Sequence, residues 1–222
     1  MKKRIKLAPS LLEADYRFLD KQLKMMETVG ADSVHIDVMD GTFVPNLSMG
    51  MKMIQSIRQS TKLEFDVHMM VQEPHRFIKK MAEAGSDVIT VHFEACKDLT
   101  GTLNSIKKEG KKVGLAIKPE TSLDVLTENL LMPIDVVQLM TVEPGLEGQS
   151  FIPDSINKIS EIQKKLHEID KSADIEVDGN ITMDNIKQVV QAGATIIVAG
   201  KAIFSGDMVE NIRKMRSLLD TL

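Results

Sequence analysis

The sequence predicts an α/β fold built on a parallel sheet, and three observations lead to that prediction. Short apolar runs rich in β-branched residues alternate along the 222 residues with longer stretches whose apolar residues recur three or four positions apart. Eight such strand–helix pairs follow one another. No linker, low-complexity segment or shift in composition divides them, so we expect one domain over residues 1–222. Alternating strands and helices are typical of a parallel sheet.

The predicted elements can be read in chain order. The eight strands are IKLAPSLL, SVHIDVM, LEFDVHMMV, DVITVHFEA, KVGLAIKP, DVVQLMTV, ADIEVDG and TIIVAG. The first helix is indicated by Phe18, Leu19, Leu23 and Met26, and the last is the C-terminal segment. The six between them are MGMKMIQSIRQS, PHRFIKKMAEAG, LTGTLNSIKKEG, SLDVLTENL, PDSINKISEIQKKLHEI and TMDNIKQVVQAG. Glycine ends several of these helices, as is common at helix C-termini: Gly30, Gly85, Gly110 and Gly193.

Two parallel architectures suit such a chain. Eight units can close into a (β/α)8 or TIM barrel, whose usual length is about 250 residues with a lower end near 200. An open doubly wound sheet is the alternative, and it calls for a glycine-rich dinucleotide motif after the first strand. The first strand ends in APSLLEADY, which has no such motif. The sequence therefore favours the single-domain barrel.

Composition excludes several classes of function. The net charge of −4 provides neither a basic surface for nucleic acid nor a polybasic face for a membrane. The apolar run near the N-terminus is too short for a signal peptide, and no later run is long enough to span a bilayer. With Cys96 as the single cysteine, no disulfide framework can form. We expect a cytoplasmic protein with no nucleic-acid or membrane partner.

Polar side chains stand near the carboxyl ends of four predicted strands, the end at which barrels carry their active sites. His35 and Asp37 are two residues apart in the second strand and so share a face. His68, His92 and Asp178 belong to the third, fourth and seventh strands. A single strand histidine is more often a hydrogen-bonded core residue than a ligand. The convergence of His35, Asp37, His68 and Asp178, however, predicts a site for one divalent ion: zinc, iron, manganese or cobalt.

Two further residues are kept outside this metal shell. Asp66 shares the face of His68 but lies one pleat deeper, so we interpret it as a supporting or structural acid. His92 is expected near the substrate rather than on the metal.

Glycine-rich loops follow the last strands. The loops DGNIT and AGKAIF follow strands seven and eight, where barrels often bind a phosphate through backbone N–H groups. Lys201 adds positive charge there. The loop VEPGLEGQSF after strand six resembles a mobile lid, with an ordinary surface turn as the alternative.

Five motifs resemble a known family. HIDVMDGTFVPN, DVHMMV, MTVEPGLEGQSF, EVDGN and VAGKAIF closely resemble ribulose-phosphate 3-epimerases and the relatives that act on allulose 6-phosphate. The resemblance runs through the whole chain from LAPSLLEADY onward. It implies a TIM barrel with one divalent metal ion that interconverts ketose phosphates differing in configuration at C3. It also implies a phosphorylated ketose substrate and a homo-oligomer, because family members are often dimers or hexamers.

Carried over residue by residue, the resemblance assigns His35, Asp37, His68 and Asp178 to the metal. Asp37 and Asp178 would also be the acid/base pair that transfers the C3 proton through a metal-stabilised enediolate. Together with His92, the expected substrate-binding residues are Ser10, Met39, His68, Met70, Met140, Gly145, Leu146, Glu147, Gly148, Gly179, Asn180, Gly200 and Lys201.

The chain departs from the family's usual residues at six positions, most of them in loops near the distal end of the substrate. They are Thr42, Lys118, Leu146, Glu147, Asn180 and Lys201. None of them is a predicted metal ligand or acid/base residue. The resemblance therefore fixes the reaction type more firmly than the substrate.

Four functions remain open at this point. The leading one is epimerisation of D-ribulose 5-phosphate to D-xylulose 5-phosphate, and the second is epimerisation of D-allulose 6-phosphate to D-fructose 6-phosphate. A decarboxylase or synthase barrel would use a strand-end lysine, for which Lys118 is the candidate. A non-catalytic sugar-phosphate-binding barrel is the fourth.

Overall fold

The computed structural model describes residues 4–146 and 148–222. Within these ranges eight parallel strands form one sheet in the order β1-β8-β7-β6-β5-β4-β3-β2. Ser10 makes a parallel bridge to His35, and the Asp32 N–H donates to the Leu7 carbonyl at 3.0 Å, so the first and second strands also meet. The predicted TIM barrel is confirmed. The strands are β1 (Lys6–Pro9), β2 (Ser33–Met39), β3 (Glu64–Met70), β4 (Val88–His92), β5 (Lys112–Ile117), β6 (Val136–Met140), β7 (Asp174–Asp178) and β8 (Ile196–Ala199).

Helices connect the strands on the outside of the barrel. Those in the described ranges are α1 (Leu19–Val29), α2 (Met51–Ile57), α3 (Ile78–Ala84), α4 (Leu99–Lys108), α5 (Glu128–Leu131), α6 (Ser155–Glu168), α7 (Ile186–Ala192), α8 (Lys201–Phe204) and α9 (Met208–Leu219). None of them is long and apolar enough to cross a membrane.

Three connections differ from their predictions. PHRFIKKMAEAG, predicted as one helix, begins as a 3-10 turn before α3. SLDVLTENL, predicted as one helix, is a 3-10 turn followed by the four-residue α5. Leu126 leaves the helical conformation with ψ 69°, and Pro133 has no N–H with which to extend α5. The segment AGKAIF, predicted as a loop, contains the short helix α8.

The two faces of the strands bury different residues. Side chains such as Ile36, Val67 and Val177 face the helices and belong to the main apolar core. The alternate residues point into the barrel, where the apolar part of the filling is small: Ala8, Val88, Val136, Ile196 and Val198. Below this layer, at the amino ends of the strands, Lys6 pairs with Asp174 and Lys112 pairs with Glu64. Above it the interior becomes polar, and that polar layer carries the candidate site.

Candidate active site

Four side chains from three strands meet at the carboxyl ends of the barrel. Parallel pairing sets Asp37 of β2 beside His68 of β3, and Asp178 closes the group from the end of β7. His68 Nδ1 lies 3.1 Å from Asp37 Oδ1 and 3.5 Å from Asp178 Oδ2. His35 Nε2 lies 3.4 Å from Asp37 Oδ1, 3.4 Å from His68 Nδ1 and 3.7 Å from Asp178 Oδ2. One atom from each residue therefore faces a common point.

These separations suit a small divalent cation. Ligand bonds of roughly 2.0–2.2 Å would set neighbouring ligand atoms of a tetrahedron about 3.3–3.6 Å apart. The observed ligand-atom separations, from 3.1 to 3.7 Å, are close to that range. Both histidines are fully buried, and Asp37 is only 5% exposed. Two buried imidazole nitrogens and two carboxylate oxygens are donors that zinc, iron, manganese and cobalt accept.

Neighbouring polar groups fix which ring nitrogen of each histidine is free. His35 Nδ1 lies 2.8 Å from Asp66 Oδ2 and donates its proton there, which leaves the Nε2 lone pair facing the common point. His68 Nε2 lies 2.8 Å from His92 Nε2, and His92 Nδ1 lies 3.2 Å from Glu94 Oε2. His92 therefore donates to Glu94 and accepts from His68, whose Nδ1 remains for a cation. Such hydrogen bonds orient metal-binding histidines.

Without a cation, protons take its place among these residues. Burial alone would lower the pKa of His68, but hydrogen bonds to Asp178 and Asp37 outweigh it and raise the pKa to about 9. The charges of Asp37 and Asp66 likewise overcome burial and hold the pKa of His35 well above its usual value. Burial would raise the pKa of Asp37, yet His35 and His68 hold it far below the usual range. A metal would therefore compete with protons for these two imidazoles.

A pair of acids lies directly below the four residues. Glu176 Oε1 is 3.3 Å from His35 Nδ1, and both Glu176 and Asp66 are buried. Burial, followed by the charge of Asp66, raises the pKa of Glu176 to about 8. Burial opposes ionisation of Asp66 too, but His35 holds its pKa below the usual value. At neutral pH Glu176 is therefore mostly protonated and Asp66 is charged.

A cavity of about 280 Å³ opens above the four residues. Asp37 and Asp178 reach its floor, and the Ser10 hydroxyl donates to Asp37 Oδ2 at 2.7 Å. The predicted substrate-binding residues that line it are Ser10, Met39, Met70, Met140, Gly145, Leu146, Gly148, Gly179, Asn180, Gly200 and Lys201. His68 and His92 are fully buried and are not among the described residues that line the cavity. Glu147 lies outside the described residues.

Two glycines shape the upper wall of this cavity. Gly179 has φ 131°, and a Cβ there would lie 2.7 Å from Val142 Cγ2. Gly145 has φ 77°, and its Cβ would collide with the side chain of Val44. A side chain at either position is excluded by both the backbone and its neighbours. The loops after β6 and β7 therefore expose backbone to the cavity.

With this geometry established, comparison with known proteins identifies the relatives. Residues 6–204 match the sequence model of the Ribulose-phosphate 3 epimerase family. The chain belongs to this family. A ribulose-phosphate 3-epimerase from Bacillus subtilis is 43% identical over 201 residues, covering 90% of this chain and 92% of the relative. Another, from Synechocystis, is 44% identical over 207 residues, covering 92% and 90%.

Solved structures extend the likeness of fold beyond the epimerase family. KGPDC from Streptococcus mutans has a TM-score of 0.77 at 13% identity, and the match covers 98% of each chain. The 3-hexulose-6-phosphate synthase from Salmonella typhimurium has a TM-score of 0.70 at 20% identity, covering 98% of this chain and 99% of the other. At such identities the similarity concerns the barrel alone.

Lys118, the lysine that a decarboxylase or synthase would need, is held elsewhere. Its Nζ lies 3.0 Å from Glu143 Oε1 and 5.2 Å from the centre of the Phe43 ring. Its backbone N–H donates to Glu94 Oε1 at 2.9 Å. It is not among the described residues that line the cavity. These contacts link Lys118 to residues at the rim of the barrel, away from the cavity floor.

Sequence reasoning missed several polar residues of the site. Five of them line the cavity: Glu13, Asn46, Glu143, Gln149 and Ser150. Two more, Glu176 and Gln138, lie beside or below the converging residues. Glu176 had a detectable signal, since it precedes Asp178 by two residues and shares its face, as Asp66 does with His68. Gln138 had a weaker one, a single polar residue inside the apolar run of β6. Its Nε2 lies 3.2 Å from His68 Nδ1 and 3.3 Å from Asp178 Oδ2. This amide touches two of the four converging residues.

Proposed function

We propose that the chain is a metal-dependent 3-epimerase that interconverts D-ribulose 5-phosphate and D-xylulose 5-phosphate. The observation that carries the proposal is the pair Asp37 and Asp178. Each carboxylate contributes one oxygen to the converging group and also lines the cavity. Membership of the Ribulose-phosphate 3 epimerase family supports the same reaction.

One divalent ion would be held by His35, Asp37, His68 and Asp178, and zinc, iron, manganese or cobalt would each suit these donors. When bound, the ion acts as a Lewis acid that stabilises the negative charge developing on the substrate oxygens. The protein's own part is to present neutral imidazoles in the correct tautomer. Asp66 does this for His35, and His92 does it for His68.

Asp37 and Asp178 would exchange the proton at C3. This proton lies next to the C2 carbonyl, so its removal gives a planar enediolate that can be protonated again at C3 from either face. Inversion requires a base on one face and an acid on the other. The two aspartates come from different strands, β2 and β7, and meet at the cavity floor. The Ser10 hydroxyl bond holds Asp37 in one orientation.

Three methionines cover the place where the reacting carbons would lie. Met39, Met70 and Met140 line the cavity and are at most 6% exposed. Their thioethers are apolar and polarizable, so they keep water from the enediolate and offer it a soft surface. Packing between β2 and β3 accounts for part of this arrangement, because Met39, Met70 and Val44 also contact one another.

The phosphate would lie at the opposite wall. Backbone of the Gly179–Asn180 and Gly200–Lys201 segments faces the cavity, and Lys201 supplies the positive charge. Gly145, Leu146 and Gly148 would cover the sugar from above. Phosphate sites in such barrels are frequently formed by the loops after strands seven and eight.

One observation favours the six-carbon alternative, epimerisation of D-allulose 6-phosphate. Of the departures from the usual family residues, Leu146, Asn180 and Lys201 line the cavity. Thr42 and Lys118 are not among the residues described as lining it. A longer substrate would be accommodated at this distal end, so the ratio of turnover on the two sugars decides between them.

We also infer one domain, a homo-oligomer and a cytoplasmic location. Cys96 is the single cysteine, so the chain cannot form an internal disulfide, which suits a reducing compartment. Sedimentation of the purified chain tests the oligomer, since a species of one chain mass at micromolar concentration would contradict it.

The test of the activity is C3 epimerisation of D-ribulose 5-phosphate by metal-loaded protein and by the same protein after chelation. We expect activity that chelation abolishes and that zinc, iron, manganese or cobalt restores. Full activity in the chelated protein would contradict the metal-dependent reaction. Greater turnover of D-allulose 6-phosphate would replace the substrate but keep the reaction.

A further inference from the structure

Gln138 stands in an unusual position for an uncharged residue. Its side chain is fully buried, and its Nε2 lies 3.2 Å from His68 Nδ1 and 3.3 Å from Asp178 Oδ2. Its Oε1 has no hydrogen-bond partner among the described residues. An unpaired buried carbonyl oxygen is destabilising, because it has lost its hydrogen bonds to water without a replacement. The amide is therefore incompletely satisfied next to two of the residues that would hold the metal.

We propose that Gln138 is a fifth protein ligand of the divalent ion, bound through its side-chain carbonyl oxygen. This inference rests on the metal site in the proposed function. It adds a residue to that site rather than a second site.

Interatomic distances are the first support for Gln138 as a ligand. The terminal amide atom of Gln138 lies as far from His68 Nδ1 and Asp178 Oδ2 as the converging ligand atoms lie from each other, which is 3.1 to 3.7 Å. A further ligand on a metal with bonds of roughly 2.0–2.2 Å would lie at about this separation from its neighbours. The amide thus occupies a ligand's position relative to two of the four residues.

The chemistry of the amide then selects its oxygen. The Nε2 group faces His68 Nδ1, whose lone pair is the one that a cation would take. Once a cation takes that lone pair, an N–H group at this place would lose His68 as an acceptor, keep only Asp178, and point a positive hydrogen at the ion. A half-turn of the amide exchanges nitrogen and oxygen with little change of shape. The carbonyl oxygen then faces the cation, for which Asn and Gln carbonyls are ordinary ligands.

Gln138 would approach the ion from the side opposite the substrate cavity. Gln138 is paired in register with Glu176, one layer below Asp178, and precedes the cavity-lining Met140 by two residues. Unlike Asp178, it is not among the described residues that line the cavity. Its oxygen would bind from the floor, while substrate oxygens would approach from above. Five protein donors would favour ions that accept five or six ligands over a strictly tetrahedral one.

The experiment compares cobalt-loaded wild type with Gln138→Leu and the control Thr90→Val. Leucine fills the space of glutamine without offering a ligand or admitting water. Thr90 is a fully buried polar residue inside the same barrel, and its hydroxyl has no partner among the described residues. We measure the visible absorption of bound Co²⁺ and its affinity by competition with a chromogenic chelator.

We expect Gln138→Leu to bind cobalt at least about 10-fold more weakly and to absorb more strongly per bound ion, because four-coordinate Co²⁺ absorbs more than five-coordinate Co²⁺. Thr90→Val should match wild type in both. An unchanged spectrum in Gln138→Leu would overturn the fifth ligand and leave the four-residue site intact. Failure of wild type to bind any of the four metals would instead overturn the proposed metal site.

A second measurement needs no variant, should Gln138→Leu fail to fold. A crystal structure of the cobalt-loaded wild type should place a terminal atom of Gln138 roughly 2.0–2.3 Å from the ion. A separation beyond about 3 Å, with the amide bonded only to Asp178, would show a hydrogen-bonding role and overturn the proposal.

Discussion

The two ends of this barrel both carry acids and bases in its interior, but they pair them differently. At the amino ends of the strands, Asp174 lies 3.1 Å from Lys6 and Glu64 is bonded to Lys112. At the carboxyl ends, the carboxylates of Asp37 and Asp178 meet His35 and His68 instead. A lysine neutralises its partner at all ordinary pH values, whereas an imidazole does so only while protonated.

Because of this difference in pairing, the two ends of the barrel are suited to different roles. The lysine pairs are complete in themselves, so they hold the bottom of the barrel and leave no donor for another ion. The histidine–aspartate group becomes neutral only by taking protons or a cation. The same kinds of acid therefore stabilise the fold at one end and, in the proposed function, bind the metal at the other.

The largest effect is expected when one carboxylate charge is removed at each end of the barrel in turn. Asp37→Asn or Asp178→Asn should lower kcat for epimerisation by roughly 10²–10⁴-fold, because each removes one of the two proposed acid/base groups. Asp174→Asn is the matched control at the other end, and its turnover should be unchanged. Steady-state kinetics on metal-saturated protein measure this. Full turnover in Asp37→Asn, or a comparable loss in Asp174→Asn, would contradict the distinction.

The next largest effect is on metal binding as pH changes. The pKa of His68 is raised to about 9 in the metal-free site, so below that pH a cation must displace a proton. The apparent affinity should rise by up to about 10-fold per pH unit for each proton displaced, and the contribution of His68 should level off above about pH 9. Chelator competition between pH 6 and pH 9.5 measures it. An affinity that is constant over this interval would show that the histidines are already neutral.

The smallest effect belongs to the amino end. Lys6→Met should lower the free energy of unfolding by at most about 1 kcal/mol and leave epimerisation unchanged. Burial works to lower the pKa of Lys6, but Asp174 raises it above 10.5. A raised folded pKa gives stability that is present at neutral pH and is lost as pH rises through that pKa. The difference between variant and wild type in urea unfolding should accordingly disappear in strongly alkaline buffer. A difference that persists there would indicate lost packing.

Much of the barrel and part of its site could be predicted from sequence. The two-residue spacing of His35 and Asp37 fixes a shared face, and a barrel brings strand ends together, so convergence with His68 and Asp178 follows from local pattern and topology. The single helix predicted for SLDVLTENL was wrong. Its apolar spacing is helical, but Leu126 interrupts it, and Pro133, three residues beyond it, does not extend α5. Contacts in the layers below the site are harder to predict. The sequence shows that Glu176 and Gln138 face inward, but it does not show which groups they contact.

The contacts of Lys118 illustrate the same limit. Its pairing with Glu143 joins the ends of β5 and β6 across 25 residues of sequence, and only the folded register brings the two side chains together. The sequence could mark Lys118 as a strand-end lysine but not as a partner of the loop after β6.

The most direct test of the central claim is exchange of the C3 proton with solvent in D₂O, followed by NMR from each epimer separately. Two acid/base residues on opposite faces predict that Asp37→Asn and Asp178→Asn each lose epimerisation but keep C3 exchange for one epimer, a different one in each variant. Loss of exchange for both epimers in both variants, with metal still bound, would contradict a two-carboxylate mechanism at this end of the barrel.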